Sequence, residues 1–69
     1  MSTINKKLGE KIRKIRTAKR LTQEDLAYQA NIDYSYLNEI ESGKRNPTVK
    51  RVAGIAKVLK VSLKELFDF

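Results

Sequence analysis

Apolar positions return along this chain at helical intervals, with charged positions between them. Ile4, Leu8, Ile12 and Ile15 recur at steps of four, four and three, a single stripe that predicts an amphipathic first helix from about Thr3 to Lys19. Leu26, Ala27 and Ala30 share one face of a short second helix, Ile32 follows a turn, and Leu37 and Ile40 recur at helical spacing in a third. Val49, Val52, Ile55, Ala56 and Leu59 predict a fourth helix with these five residues facing inward, and Leu63 to Phe67 a short fifth. No segment alternates as a strand would. The expectation is an all-α chain, a compact five-helix bundle forming one domain over residues 1–69.

The residues between these segments mark where each helix starts and stops. Thr22 suits an N-cap, Asp25 completes a short capping box three residues later, and Leu21 is placed to staple onto Leu26. Asn31 tolerates the left-handed backbone that a reversal needs, and Asp33 offers a cap for the third helix. Gly43 suits a C-terminal stop, Pro47 precedes a new start at Thr48, and Ser62 with Glu65 reads as another capping box, with Val61 as staple against Leu66. Two helices separated only by Asn31–Asp33 are thus pinned across a tight turn, and small Ala27 sits where they must cross. This is a helix-turn-helix spanning about residues 23–42.

Composition narrows the chemistry. A 69-residue chain with no Cys and no His has no disulfide framework, no thiolate or imidazole metal site and no nucleophile with its base. The expectation is a non-enzyme without cofactor, metal or small-molecule ligand. No apolar run is long enough to span a bilayer, and MSTINKK lacks a signal-peptide core, which points to a cytoplasmic chain with no membrane partner. Charge is distributed in blocks. Residues 1–20 carry eight Lys or Arg against Glu10, residues 21–43 five acidic groups and no basic one, and residues 44–69 seven basic groups against two acidic. Positive charge on both sides of a polar central helix fits double-stranded DNA, whose phosphates hold a protein while polar side chains inspect bases. Lysine-rich helices also serve simply as solvated faces.

The run from Leu8 to Phe67 resembles the Cro/C1-type (XRE-like) helix-turn-helix domains of phage repressors and related bacterial regulators. TQEDLAYQANID followed by YSYLNEIESGKRNPTVK is similar to the small controller proteins of restriction-modification systems. The resemblance implies a homodimer on a pseudo-palindromic operator that regulates its own gene together with an endonuclease gene. Two departures stand out. Asn31 occupies a turn position where the family usually has Gly, and Tyr34 a position where a basic or amide residue is common.

On the helical wheel of residues 34–42, Leu37 and Ile40 point inward, so Ser35, Asn38, Glu39 and Ser42 project outward with Tyr34 and Tyr36 on the flanks. The candidate base readers are Tyr34, Ser35, Tyr36, Asn38 and Glu39. Asn38 suits an adenine edge and Glu39 a cytosine amino group, although Glu39 is equally a solvated carboxylate that repels phosphate and enforces register. Tyr36 either reaches DNA or packs across the helix pair. The resemblance assigns backbone contacts to Gln23, which matches a phosphate-touching glutamine of the family, and to the loop residues Lys44, Arg45 and Asn46. It also pairs Arg16 with Glu41 as an internal ion pair linking the first helix to the end of the third. Val58, Leu63, Phe67 and Phe69 offer more apolar groups than a short segment buries alone and form the candidate dimer surface, unless the two Phe residues fold back on one chain. Three functions fit: a transcriptional regulator, an antitoxin or co-regulator whose main partner is another protein, or a non-specific nucleic-acid binder, which the acidic stretch disfavours.

Overall fold

A computed structural model describes residues 3–69 as five helices and, among those residues, no strand: α1 (Thr3–Ala18), α2 (Gln23–Gln29), α3 (Tyr34–Glu41), α4 (Val49–Leu59) and α5 (Leu63–Leu66). The core they enclose consists of Leu8, Ile12, Leu26, Ala27, Leu37, Ile40, Val52, Ile55, Ala56, Leu59 and Leu66, with at least one residue from every helix. Ile15, Leu21, Ala30, Ile32, Tyr36 and Val61 pack around it, half-buried. Removing a fully buried Leu or Ile from such a core costs about 2–5 kcal/mol, a large part of what so small a domain has.

The joints between helices share one construction. At the ends of α1, α2 and α4 the chain turns through a left-handed residue, Arg20 (φ 61°), Asn31 (φ 56°) and Lys60 (φ 60°). Each is followed by an apolar residue, Leu21, Ile32 or Val61, and then by the N-cap of the next helix, Thr22, Asp33 or Ser62. The apolar residue's N–H reaches back to the last turn, from Leu21 to the Arg16 carbonyl (3.1 Å), Ile32 to Ala27 (3.0 Å) and Val61 to Ala56 (3.1 Å). These are Schellman closures, which satisfy carbonyls that a helix end leaves open. α3 ends the same way at Gly43 (φ 80°), with Lys44 N–H bonded to the Glu39 carbonyl at 2.9 Å. A left-handed Asn was expected; left-handed Arg20 and Lys60 were not. Side-chain type does not announce these two, because tertiary packing on both flanking helices sets the turn.

Several expectations are corrected in detail. Ile4 is 60% exposed and Val49 67% exposed, although both continue an apolar stripe. Each lies in the first turn of its helix, before that helix meets its packing neighbours. Asp33 makes no side-chain cap; its carboxylate instead accepts from Ser35 Oγ at 2.8 Å. Thr22 and Asp25 form a complete reciprocal box, whereas Ser62 caps Glu65 N–H at 3.1 Å. α1 stops at Ala18 and α5 at Leu66, with Phe67 as its cap.

Gly9 had no assigned role in the pattern, and it decides how close α1 comes to α3. A Cβ there would collide with the carbonyl oxygen of Ile40 and lie 2.7 Å from that of Glu41. Backbone meets backbone at this point, which fixes the end of α3 against α1 and brings Arg16 and Glu41 together.

Candidate nucleic-acid interface

α3 is anchored from inside by Leu37, Ile40 and Glu41, all buried. At about 100° per residue this turns the opposite face to solvent, and Tyr34, Ser35, Asn38 and Ser42 are exposed there. Tyr36 and Glu39 are half-buried on its edge. Ser42 Oγ turns back to the Glu39 carbonyl (3.1 Å) and Ser35 Oγ to the Asp33 carboxylate (2.8 Å), while Asn38 and Glu39 bond to residues of other elements.

Charge on this face is balanced by specific pairs. Glu39 Oε1 accepts from Arg45 Nε at 2.8 Å, a pair whose side chains are 41% and 55% exposed. The Arg45 guanidinium also lies 5.5 Å from the Tyr36 ring centroid, and the Arg51 guanidinium 5.9 Å from the same ring. Tyr36 thus packs against the core, one of its two expected roles, and in addition carries two cations beside the exposed face of α3. Lys44 and Asn46 are exposed in the same loop, next to Arg45. Arg51 was not anticipated, because the fourth helix is legible mainly through its apolar stripe. The available signal was its place in the first turn after Thr48, whose hydroxyl caps Arg51 N–H at 3.2 Å.

Beneath α3 lies a hydrogen-bonded chain. Arg16 Nε and Nη2 donate to Glu41 Oε2 (2.7 Å) and Oε1 (3.0 Å), a fork-to-fork pair whose side chains are 9% and 3% exposed. Arg16 Nη1 donates to the Leu21 carbonyl at 2.7 Å, tying in the α1–α2 joint. Gln23 Nε2 donates to Glu41 Oε1 at 3.0 Å, and Gln23 Oε1 accepts from Asn38 Nδ2 at 3.1 Å. Among the described residues no buried side-chain nitrogen or oxygen lacks a partner. Two of the five acidic groups of residues 21–43 are paired with cations, Glu41 with Arg16 and Glu39 with Arg45, while Asp33 lies exposed at the N-cap of α3 and Glu24 and Asp25 in the first turn of α2. Asp25 is held below its ordinary carboxylate range by hydrogen bonds from the Thr22 backbone and side chain.

The candidate dimer residues lie apart from this face. Val58 and Leu63 are half-buried against the core, whereas Phe67 and Phe69 are 41% and 51% exposed with ring centroids 6.4 Å apart. Neither Phe closes the core, a role taken by Leu66; Phe69 instead lies by α1, with Lys7 Nζ 5.9 Å from its centroid. No group of His, Cys, Asp or Glu able to hold a metal ion occurs among the described residues, and no described helix is long and apolar enough to cross a membrane.

Control protein C.BamHI of Bacillus amyloliquefaciens is 39% identical over 62 residues, covering 88% of this chain and 76% of its own. The restriction-modification controller protein C.AhdI from Aeromonas hydrophila superposes with a TM-score of 0.89 at 38% identity, over 91% of this chain and 96% of its own. C.Esp1396I, solved bound to a 25 base pair operator site, gives a TM-score of 0.88 at 43% identity, over 99% and 90% of the two chains. The helix-turn-helix family profile matches residues 12–66, which takes in the second half of α1 and every later helix. The chain belongs to the helix-turn-helix family.

Proposed function

We infer that this protein is a sequence-specific transcriptional regulator that binds double-stranded operator DNA through α3. The observation that carries this reading is the exposed polar face of α3, held rigidly from beneath and flanked by cations from two other elements. Asn38, Ser35 and Glu39 carry donors and acceptors of the kinds that pair with base edges, with Tyr34 and Tyr36 on the flanks. Lys44, Arg45, Asn46 and the remaining amide hydrogen of Gln23 take phosphates. None of this requires catalysis, and the site of action is the cytoplasm, where such an operator is found.

The longest extent of the body is 26 Å, while successive turns of a major groove are about 34 Å apart. One chain cannot reach both half-sites. A homodimer can, with Val58, Leu63, Phe67 and Phe69 of the C-terminal part of the chain as the apolar residues of its face. The likeness to controllers of restriction-modification systems supports a regulator that acts on its own promoter in the same setting.

The test is binding to genomic fragments, including the DNA upstream of its own gene, at two salt concentrations with excess competitor. The expected result is a two-fold symmetric site that survives competitor, with a salt slope of about 0.9 per phosphate contacted. Equal, competitor-sensitive binding to every fragment overturns the reading; absence of DNA binding redirects it to a protein partner, as for an antitoxin or co-regulator.

A further inference from the structure

Asp33 stands at the N-cap of α3, yet its side chain caps no backbone N–H. Its Oδ2 accepts instead from Ser35 Oγ at 2.8 Å, and both residues are exposed where α3 begins. A hydroxyl has one hydrogen and two lone pairs, so on its own it serves as donor or acceptor as its surroundings require. An ionised carboxylate only accepts. The hydrogen between the two must therefore come from Ser35. Once it is engaged, Ser35 offers a ligand of α3 its lone pairs alone.

The bond has few rivals. Among the described residues Asp33 forms no ion pair; Arg45 is held by Glu39, and Arg51, which borders the same shallow hollow as Asp33, stacks on Tyr36. A hydrogen bond to a charged group is stronger than one between neutral groups, and a bound duplex removes the water that would otherwise replace it. Ser35 rotated outward to donate would leave the carboxylate without that donor in the interface.

We propose that Asp33 is a positioning residue for base recognition: by holding the Ser35 hydrogen it makes Ser35 an acceptor, so that the start of α3 selects a base with an amino group in the major groove. Adenine N6 and cytosine N4 donate there, whereas guanine and thymine present acceptors at the corresponding place. A free serine serves either kind of edge. This rests on the DNA-reading role proposed above. It differs from simple repulsion of phosphates by Asp33 in what it predicts, because repulsion weakens every sequence alike whereas a hydroxyl of fixed polarity discriminates among bases.

The experiment is selection from a randomised double-stranded DNA library with the full chain, its Ser35→Ala variant and its Asp33→Gly variant. Glycine is itself an accepted N-cap, so Asp33→Gly removes the carboxylate at little cost to α3. Thermal unfolding of each variant sets a selection temperature at which all three are folded. Ser35→Ala identifies the base pair that Ser35 reads, at which the wild type is expected to prefer one orientation of the pair, with the amino-bearing base toward Ser35, over its reverse. Asp33→Gly is expected to lose that preference for orientation by about tenfold, the order of one acceptor left facing another, with preferences at other positions unchanged. An intact base profile in Asp33→Gly, with affinity raised equally for all sequences, overturns the proposal and leaves Asp33 a charge that repels phosphates. It is equally overturned if Ser35→Ala alters no position. A wild-type chain that enriches no motif instead overturns the operator-reading function, and this proposal with it.

Discussion

Two Arg–Glu pairs sit within one turn of each other on α3, and their bond lengths are nearly the same. Arg16–Glu41 measures 2.7 Å and Arg45–Glu39 2.8 Å. Their surroundings differ: the first has side chains 9% and 3% exposed, the second 55% and 41%. Distance therefore says little about what each does. In the first, water is excluded, so both ions depend on each other and on the hydrogen bonds that Arg16 donates to the Leu21 carbonyl and Glu41 accepts from Gln23. In the second, water screens both ions and can replace either partner, so the pair holds little stability and remains available for exchange with a ligand. The inner side of α3 is built to stay, and its outer face to trade partners.

Removing one member of the inner pair tests this most severely. Arg16→Ala leaves Glu41 buried without its guanidinium, and Glu41→Ala the reverse; each is expected to destabilise the fold by about 3–5 kcal/mol in chemical denaturation. For a domain of this size each kcal/mol corresponds to roughly 4–8 °C in Tm. Replacing both, as Arg16→Met with Glu41→Leu, is expected to recover most of that loss, since no stranded charge remains. A single variant that melts near wild type would remove the distinction between the two pairs.

Next in size is Gly9→Ala, which asks whether the inner pair depends on the close approach of α1 to α3. The added methyl must displace the backbone at Ile40 and Glu41 rather than a flexible side-chain end. A loss of about 1–3 kcal/mol is expected, of the order seen for overpacking, despite the higher helix propensity of Ala. A stabilised Gly9→Ala would mean that α3 yields at that end and that the ion pair sits in a softer site than its burial indicates.

These two cases also separate what a linear reading of the chain finds from what it misses. The core face of α3, the caps at Thr22 and Thr48 and the stop at Gly43 were legible because each rests on local rules: period, cap chemistry and positive φ. Arg16 and Glu41 lie 25 residues apart and share no local rule; they were named through a family resemblance, and the fork geometry now explains why the pairing works. Gly9 and Arg51 escaped because a glycine's close approach and a cation's stacking on Tyr36 exist only once helices are packed. Ile4 and Val49 mislead for the converse reason, as an apolar stripe runs on into a first turn that nothing covers. The candidate reading face was legible as a set of outward positions, but the bond from Asn38 to Gln23 was not, because it crosses between two helices.

The outer pair should respond in the opposite way. Glu39→Ala is expected to change stability by no more than about 0.5 kcal/mol, as for other exposed pairs. Its effect belongs in DNA binding: with Arg45 released and a carboxylate removed from the reading face, affinity for random-sequence DNA is expected to rise, and the salt slope to steepen by about 0.9, one phosphate contact. Titration of the variant with non-operator duplex at two salt concentrations measures both. Unchanged random-sequence affinity would mean that Glu39 does not restrain Arg45, and with lost preference for cytosine at one position would leave it the base reader proposed above and nothing more.

Asp25 supplies a third carboxylate with which to sharpen the contrast, and the smallest effect. It is exposed like Glu39, yet its partners are fixed rather than mobile: Thr22 N–H donates to its Oδ2 at 3.0 Å within the capping box. That bond favours the charged form and lowers the Asp25 pKa from its ordinary 3.8. A carboxylate whose folded pKa is depressed contributes stability above its unfolded pKa and loses it as pH falls through the folded value. Asp25→Asn is therefore expected to melt slightly below wild type at neutral pH, with the gap closing as pH drops below about 4, where an unfolded Asp protonates. Melting curves of the two proteins in step from neutral to acidic pH give the comparison directly. A gap that persists unchanged at low pH would show that the box works through amide geometry alone, and that fixed partners do no more for an exposed carboxylate than the mobile guanidinium of Arg45 does for Glu39.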